Sequence, residues 1–515
     1  MPTRYQPMMS LTLGTTPVPT QYQQNVSFNG PAINHNSYQF NQAGPHLNQG
    51  GQFNQAGQFN ESIQNNGGTV VLDQSQLTRT KEWAKIYGFH VKAVPPFLDL
   101  TRSVVLSNKP IISIKNIPYN ITHCEIQQFV SDFVLPEYLT HLSAPGTSSL
   151  PILIMMERCT GKTKDCFIEM PSPNVAAACI ERVENLVMDG RPPRMAQRVV
   201  TVEMSCQGEL MRELFPRAKN IRWDPTTGSP IRLPVVNGYG GSFLTRAELK
   251  NVVRFAKRPQ GSWFTVGRRQ RTYAFMISTL AKFPWASVYY TLEDRDLLFK
   301  AYHNQLCALL YKILVEDAAG LDAGLVAAFV DAGVNCPGFS ESQKACIYDA
   351  AGLGYNHRGV SHFGAAWPFE TLSKPAGVGD YDILLWINLM KTGALSAMAQ
   401  NILLAVGCDG KNYAEVGFDQ WGQLMMNISE EGRKNISFAG LACMEQELME
   451  CMLTYGRKVF VKRTGLDFYP GDQEEKKMPT CWIQLARHPA DIGNTIKKET
   501  IKFEVGRKLT SDAPP

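Results

Sequence analysis

The chain has 515 residues, 44 % of them apolar and 19 % charged, with a net charge of +5. That length exceeds one compact domain and points to two or three, and so mild a charge singles out no partner. No apolar run approaches the roughly 18 residues of a membrane-spanning helix, and residues 1–17 lack the pattern of a secretion signal. The expectation is therefore an intracellular protein, nuclear and/or cytoplasmic, with no membrane partner. The 12 cysteines show no CxxC pair and are expected as reduced thiols rather than a disulfide framework.

Residues 1–75 form a compositional class of their own. Of the first 66 residues, 21 are Asn or Gln, and only Arg4 and Glu61 carry charge. A short repeat runs from Gln39-Phe40-Asn41-Gln42-Ala43-Gly44 to Gln52-Phe53-Asn54-Gln55-Ala56-Gly57. Such a segment buries too little apolar surface to offset its ordering entropy, which predicts a disordered arm. Its spaced aromatics, among them Tyr22, Tyr38 and Phe59, give it a prion-like character, compatible with weak self-association or with a passive tail. A short helix is expected near 81–87, before Pro95-Pro96 break the pattern.

Residues 109–206 read as βαββαβ. Strands are expected at 111–116, 152–157, 165–170 and 199–204. The first helix opens on Thr122 with Glu125 three residues on, a capping box, and continues with Ile126, Phe129, Val130 and Phe133 at helical spacing. The second runs over 173–187. The order implies a four-stranded antiparallel sheet with two helices on one face, an α+β, ferredoxin-like arrangement.

Three segments carry a family resemblance. Ile112-Ser113-Ile114-Lys115-Asn116-Ile117 and Lys162-Thr163-Lys164-Asp165-Cys166-Phe167-Ile168-Glu169 sit where an RNA recognition motif (RRM) keeps its two signature strands, and Asp189-Gly190-Arg191 resembles its turn before strand four. The resemblance covers 109–206 and implies single-stranded RNA as the partner. The departures matter as much. The family's aromatic on strand one is replaced by Ser113 and one of the two on strand three by Asp165, which leaves Phe167. Base stacking contributes roughly 1–3 kcal/mol per base, so losing two platforms weakens sheet-face binding by at least about two orders of magnitude. In this respect the segment resembles the quasi-RRM group of some heterogeneous nuclear ribonucleoproteins, in which loops hold the RNA. That resemblance implies contacts from Tyr119 and Asn120 after strand one, Arg158, Lys162 and Lys164 around the strand two–three loop, and Arg191 and Arg194 before strand four. Ile114 and Asn116 on strand one and Phe167 on strand three are the contacts expected from the strands themselves.

Residues 205–275 hold 13 Lys/Arg against 4 Asp/Glu, whereas 109–206 hold 9 against 10. Aromatics interleave with the basic residues, from Phe215 and Trp223 to Phe264 and Tyr273, and Arg268, Arg269 and Arg271 form the densest cluster. Basic residues with aromatics suit a second RNA contact; a solvated helix face or a nuclear localisation patch would share that composition. A basic linker is expected at 207–240 and a mainly helical region at 241–465, with a tail beyond 466. Within that region, 244–257 reads as a helix, and Thr291 with Asp294 caps a long one to about 315. Further helices are expected at 394–406 and 439–455. Glu213-Leu214-Phe215-Pro216 and Lys282-Phe283-Pro284-Trp285 resemble segments that accompany this type of RRM in filamentous fungi.

Gly161-Lys162-Thr163 joins two strands rather than entering a helix, so it is no phosphate-binding loop. His357, His362, Cys336 and Cys346 match no standard zinc spacing, and neither a metal nor a cofactor is expected. The reading is a non-catalytic RNA-binding protein of post-transcriptional regulation, in mRNA processing, stability or translation. The rivals are an adaptor that binds protein partners through the RRM or the helical region, and an enzyme with its site in 320–465.

Overall fold

The four strands of the first sheet are short, two of them rich in isoleucine, and two capped helices hold one side of the sheet. β1 (Ile111–Lys115) leads to α1 (His123–Ser131). Thr122 Oγ1 accepts the Glu125 N–H at 3.1 Å and the Glu125 carboxylate accepts the Thr122 N–H at 2.7 Å, so the helix start is closed from both sides. β2 (Ile152–Met156), β3 (Thr163–Glu169) and α2 (Pro173–Met188) follow. A two-residue pair, β4 (Arg194–Met195) and β5 (Arg198–Val199), precedes β6 (Thr201–Ser205). The sheet is antiparallel in the order β2-β3-β1-β6, with Ser113 registered against Phe167 on β3 and Glu203 on β6. Ile112, Ile114, Ile154, Cys166 and Ile168 point to one face and pack with Ile126 and Val130 of α1 and Val175, Cys179 and Val183 of α2.

In this computed structural model the described residues are 95–464, apart from 103, 135–151, 234–241, 262–263, 265–267, 317, 319, 354–362, 376–377 and 409–410. The expected arm (1–75), the helix near 81–87 and the tail beyond 466 lie outside them. The protein is α+β, and its second half adds helices and a small sheet. Residues 207–233, expected as part of a basic linker, instead hold α3 (Gln207–Leu214) and the hairpin β7 (Ile221–Trp223)–β8 (Pro230–Arg232). The reason is apolar: Leu210, Met211, Leu214, Phe215 and Trp223 are all buried.

Next come α4 (Arg246–Lys257), α5 (Arg271–Lys282), α6 (Leu292–Leu314), α7 (Ala323–Val334) and α8 (Glu341–Ala351). Thr245, Thr291 and Ser340 each start their helix with a closed capping box. The helix expected at 394–406 is placed differently: α9 spans Asp380–Ala399, and 405–408 lie in a strand. Asn401, at a positive φ of 56°, turns the chain between them. β9 (Ala405–Cys408), β10 (Lys411–Phe418) and β11 (Leu424–Ile428) form a three-stranded sheet. α10 (Glu430–Asn435) and α11 (Phe438–Thr464) follow. α9 and α11 cross in backbone contact. A Cβ on Gly393 would lie 1.8 Å from the Met452 carbonyl oxygen, and one on Gly456 2.2 Å from that of Leu389.

A closed ring of charge joins this second half. Arg295, fully buried, binds Asp296 at 2.7 Å and Glu370 at 2.9 Å. Arg433 of α10 binds the same two carboxylates at 2.9 and 3.0 Å. Against the cost of burial, the opposite charges hold the Glu370 carboxyl below its usual range and the Arg295 guanidinium above its own, while burial still raises Asp296.

Candidate nucleic-acid interface

The outer face of the first sheet, opposite α1 and α2, is not open. Strand alternation puts Ile111, Ser113, Leu153, Met155, Phe167 and Glu169 there, and all are buried. α5 and α3 cover them. The Lys282 ammonium of α5 meets Glu169 at 2.5 Å, and Gln207 of α3 donates to the same carboxylate at 3.0 Å. What remains open toward β6 carries the Lys115–Glu203 pair and half-buried Asp165, a poor surface for phosphate.

Four of the expected RNA contacts therefore belong to the interior. Phe167 is 1 % exposed and Ile114 lies in the core between sheet and helices. Arg158 is buried: its guanidinium donates to the Leu214 carbonyl and to Thr279 Oγ1, faces the Phe275 ring at 4.7 Å and lies 3.8 Å from the Glu248 carboxylate. Burial lowers its pKa to about 10, against the opposing effect of Glu248. Arg271 is buried as well, donates to the Ile121 carbonyl, and is likewise lowered to about 10 by burial. Most of the interleaved aromatics have the same fate. Phe215, Trp223, Phe243, Phe255 and Tyr273 are core residues, several of them in one chain of ring contacts with Phe283.

The end of the sheet where β1 runs out and β3 begins is different. Asn116 adopts a positive φ of 61° and its side chain donates to the Val199 carbonyl at 2.8 Å. The loop that follows is pinned by its own carbonyls. That of Ile117 accepts from Arg198, that of Tyr119 from Thr163 Oγ1 at 2.9 Å, that of Asn120 from Arg268, and that of Ile121 from Arg271. So fixed, the loop holds Tyr119 with 38 % of its surface exposed. The Arg198 guanidinium lies 4.8 Å from the ring centroid and the Lys162 ammonium 5.3 Å, while Phe264 meets the ring edge-on at 5.6 Å.

The other expected cations divide. Lys164 is tied to Glu213, and Arg191 to Asp189 at 2.7 Å. Lys162, Arg194, Arg198, Arg268 and Arg269 form no ion pair with a carboxylate among the described residues. Arg194 is exposed and donates to the Gln197 carbonyl at 3.4 Å, and Arg269 is half-buried. Arg198 is the residue that the sequence reading missed. Its signal is Arg194-Met195-Ala196-Gln197-Arg198, two arginines around a turn that immediately precedes strand four. The arrangement offers an aromatic ring, free positive charge and a rigid loop. That chemistry suits stacking of a base and contact with phosphate.

A cleft of about 320 Å³ lies between the sheet and the helices and is lined in part by Glu169, Lys282, Trp285 and Cys336. Lys109 lines it as well, and Glu169 and Lys282 are already paired with each other. No group of His, Cys, Asp and Glu among the described residues is arranged to hold a metal ion, and none of the described helices is long and apolar enough to cross a membrane.

Residues 108–225 match a family model described as a domain of unknown function, DUF8400, and residues 241–353 match a second, DUF8399. No curated protein and no solved structure matches the chain. The first match runs past β6 to include α3 and β7, so the family's unit takes in part of the cover of the sheet. α5, the rest of that cover, falls in the second.

Proposed function

We propose that the chain binds single-stranded RNA, without catalysis, through the loop end of a divergent RRM whose sheet face is closed by the protein itself. Three features support the ferredoxin-like RRM reading: the βαββαβ order, the β2-β3-β1-β6 strand order and the two helices on one face. The observation that carries the binding site is Tyr119, partly exposed on a pinned loop and flanked by Arg198 and Lys162. Stacked bases on such platforms are worth about 1–3 kcal/mol each. The role that fits is post-transcriptional, in mRNA processing, stability or translation, in nucleus or cytoplasm. The test is fluorescence anisotropy of a randomised single-stranded RNA pool with the full chain and with Tyr119→Ala/Arg198→Gln. The double variant should bind at least about tenfold more weakly. A wild-type chain that leaves the pool unbound at low salt overturns the reading.

One observation favours an adaptor as the second reading. At the end of α6, Tyr311, Leu314 and Val315 are each more than half exposed, a small apolar patch on the helical region suited to a protein partner.

A further inference from the structure

α4 has an outer face made almost wholly of cations. Arg246, Lys250, Arg254, Lys257 and the capping Arg258 are all exposed. Arg246, Lys250 and Arg254 follow one another at spacings of four residues, about 6 Å apart along the axis on one side of the helix, and Arg258 continues from the C-cap. The only acid in α4, Glu248, is buried in the capping box and near Arg158. The opposite face, with Leu249, Val252, Phe255 and Ala256, is buried. The Val252 carbonyl accepts from both Thr272 and Gln305. α4 therefore has no apolar face left for a lipid surface, and its basic side is a rigid element of the folded protein.

Neighbouring contacts define where this face leads. Arg246 pairs with Glu293 and Lys257 Nζ donates to Asn304 at 3.2 Å. Both contacts have the same separation of 47 residues, so α4 and α6 run side by side in the same direction. Between the two contacts α6 presents Lys300 to solvent. At the C-terminal end of α4, Tyr273 Oη donates to the Ala256 carbonyl at 3.4 Å. Tyr273 belongs to the same first turn of α5 as Arg271, which holds Ile121, and Arg268 just before it holds Asn120. The C-terminal end of α4, where the cationic face ends, thus packs on the first turn of α5, whose Arg271 pins the Tyr119 loop. Apart from Arg246, its cations have no carboxylate partner among the described residues.

We infer that the outer face of α4 is a phosphate track that carries the backbone of the same single-stranded RNA away from the Tyr119 loop. The inference rests on the RNA-binding reading and adds to it a second, sequence-independent contact. Charge complementarity selects a polyanion. The regular spacing along a straight element, leading to an aromatic platform, selects a nucleic-acid strand over an acidic protein.

The full chain and the variant Lys250→Gln/Arg254→Gln/Arg258→Gln are compared by anisotropy over a range of salt, on labelled oligouridylates of about four and about twenty nucleotides. Glutamine keeps the helix propensity, and an unchanged melting temperature confirms the fold. Each phosphate contact on a single strand contributes about 0.7 to the slope of log affinity against log salt, so three lost contacts should lower the slope for the long oligonucleotide by about 2. The short one, held at the loop, should keep its slope. An unchanged slope on the long oligonucleotide, with Tyr119→Ala still weakening binding, overturns the track and leaves the RNA reading standing. A slope that falls equally for both lengths also overturns it, since the cations would then act as a general field. Absence of wild-type binding to either length overturns both. Loss of binding to phosphatidylserine vesicles in the triple variant, with RNA slopes unchanged, would assign the face to a membrane surface instead.

Discussion

Arg158 and Arg198 stand at the same end of one sheet, and their surroundings are opposite. Arg158 is enclosed by Phe215, Phe275, Thr279 and Glu248 and holds the helices onto the sheet. Arg198 is exposed, lies over Tyr119 and meets no carboxylate among the described residues. The same contrast separates the outer face of the sheet from its loop end. The face is an internal interface, and the loop end leaves an aromatic ring partly exposed beside two cations. Positive charge beside an aromatic ring is thus no guide to function until burial is known, because an enclosed pair stabilises the fold and an exposed pair is available to a ligand.

The comparison can be broken from the interior side first. Phe167→Ala should cost about 3–5 kcal/mol of stability, read as a large fall in melting temperature. Arg158→Ala should cost a similar amount, about 3–5 kcal/mol, because Glu248 would be left buried without its cation. If either variant kept wild-type stability while losing RNA, the sheet face would be the binding surface after all. On the loop side, Tyr119→Ala should leave melting within about 1 kcal/mol of wild type, as expected of a surface residue, while weakening RNA binding by about 1–3 kcal/mol. Lys162→Gln should have the smallest effect on affinity, within about 1 kcal/mol, and should reduce the salt dependence.

A pH series sharpens the contrast further. Burial, assisted by the Arg271 cation, pushes the His123 imidazole down to about 4, from about 6.5 in an unfolded chain. The native state therefore binds fewer protons than the unfolded one between those values. The stability involved is fully present above pH 6.5 and is lost as pH falls toward 4. His123→Gln should flatten the melting temperature over that window, and a curve parallel to wild type would mean that other groups set the acid sensitivity.

Much of the first sheet was legible in the chain. Thr122 with Glu125 announces the first helix, and isoleucine runs place the first two strands. The closure of the outer face was also written there, in a signal that the RRM resemblance obscured. Ile152-Leu153-Ile154-Met155-Met156 has no polar alternation, and a strand with one solvated face alternates. Ser113 reads in the same way. A small side chain in the place of an aromatic leaves room for a covering element as readily as it removes a stacking platform. The small sheet at 405–428 escaped because glycines, Gly407 in β9 and Gly417 in β10, break the apolar alternation of two of its strands. Of the loop site, Tyr119, Asn120 and Lys162 were legible from the strand–loop order. Arg198 and the Arg268 contact were not, since both depend on long-range pairing.

The ring of Arg295, Asp296, Glu370 and Arg433 carries a consequence for how this sequence can change over time. Every member serves two opposite charges, so the loss of one leaves two others with a single partner each. A neutral drift at any single corner is closed off. Related chains should either keep all four residues or replace an acid and a base together with apolar residues of similar volume, and lineages holding three of the four should be rare.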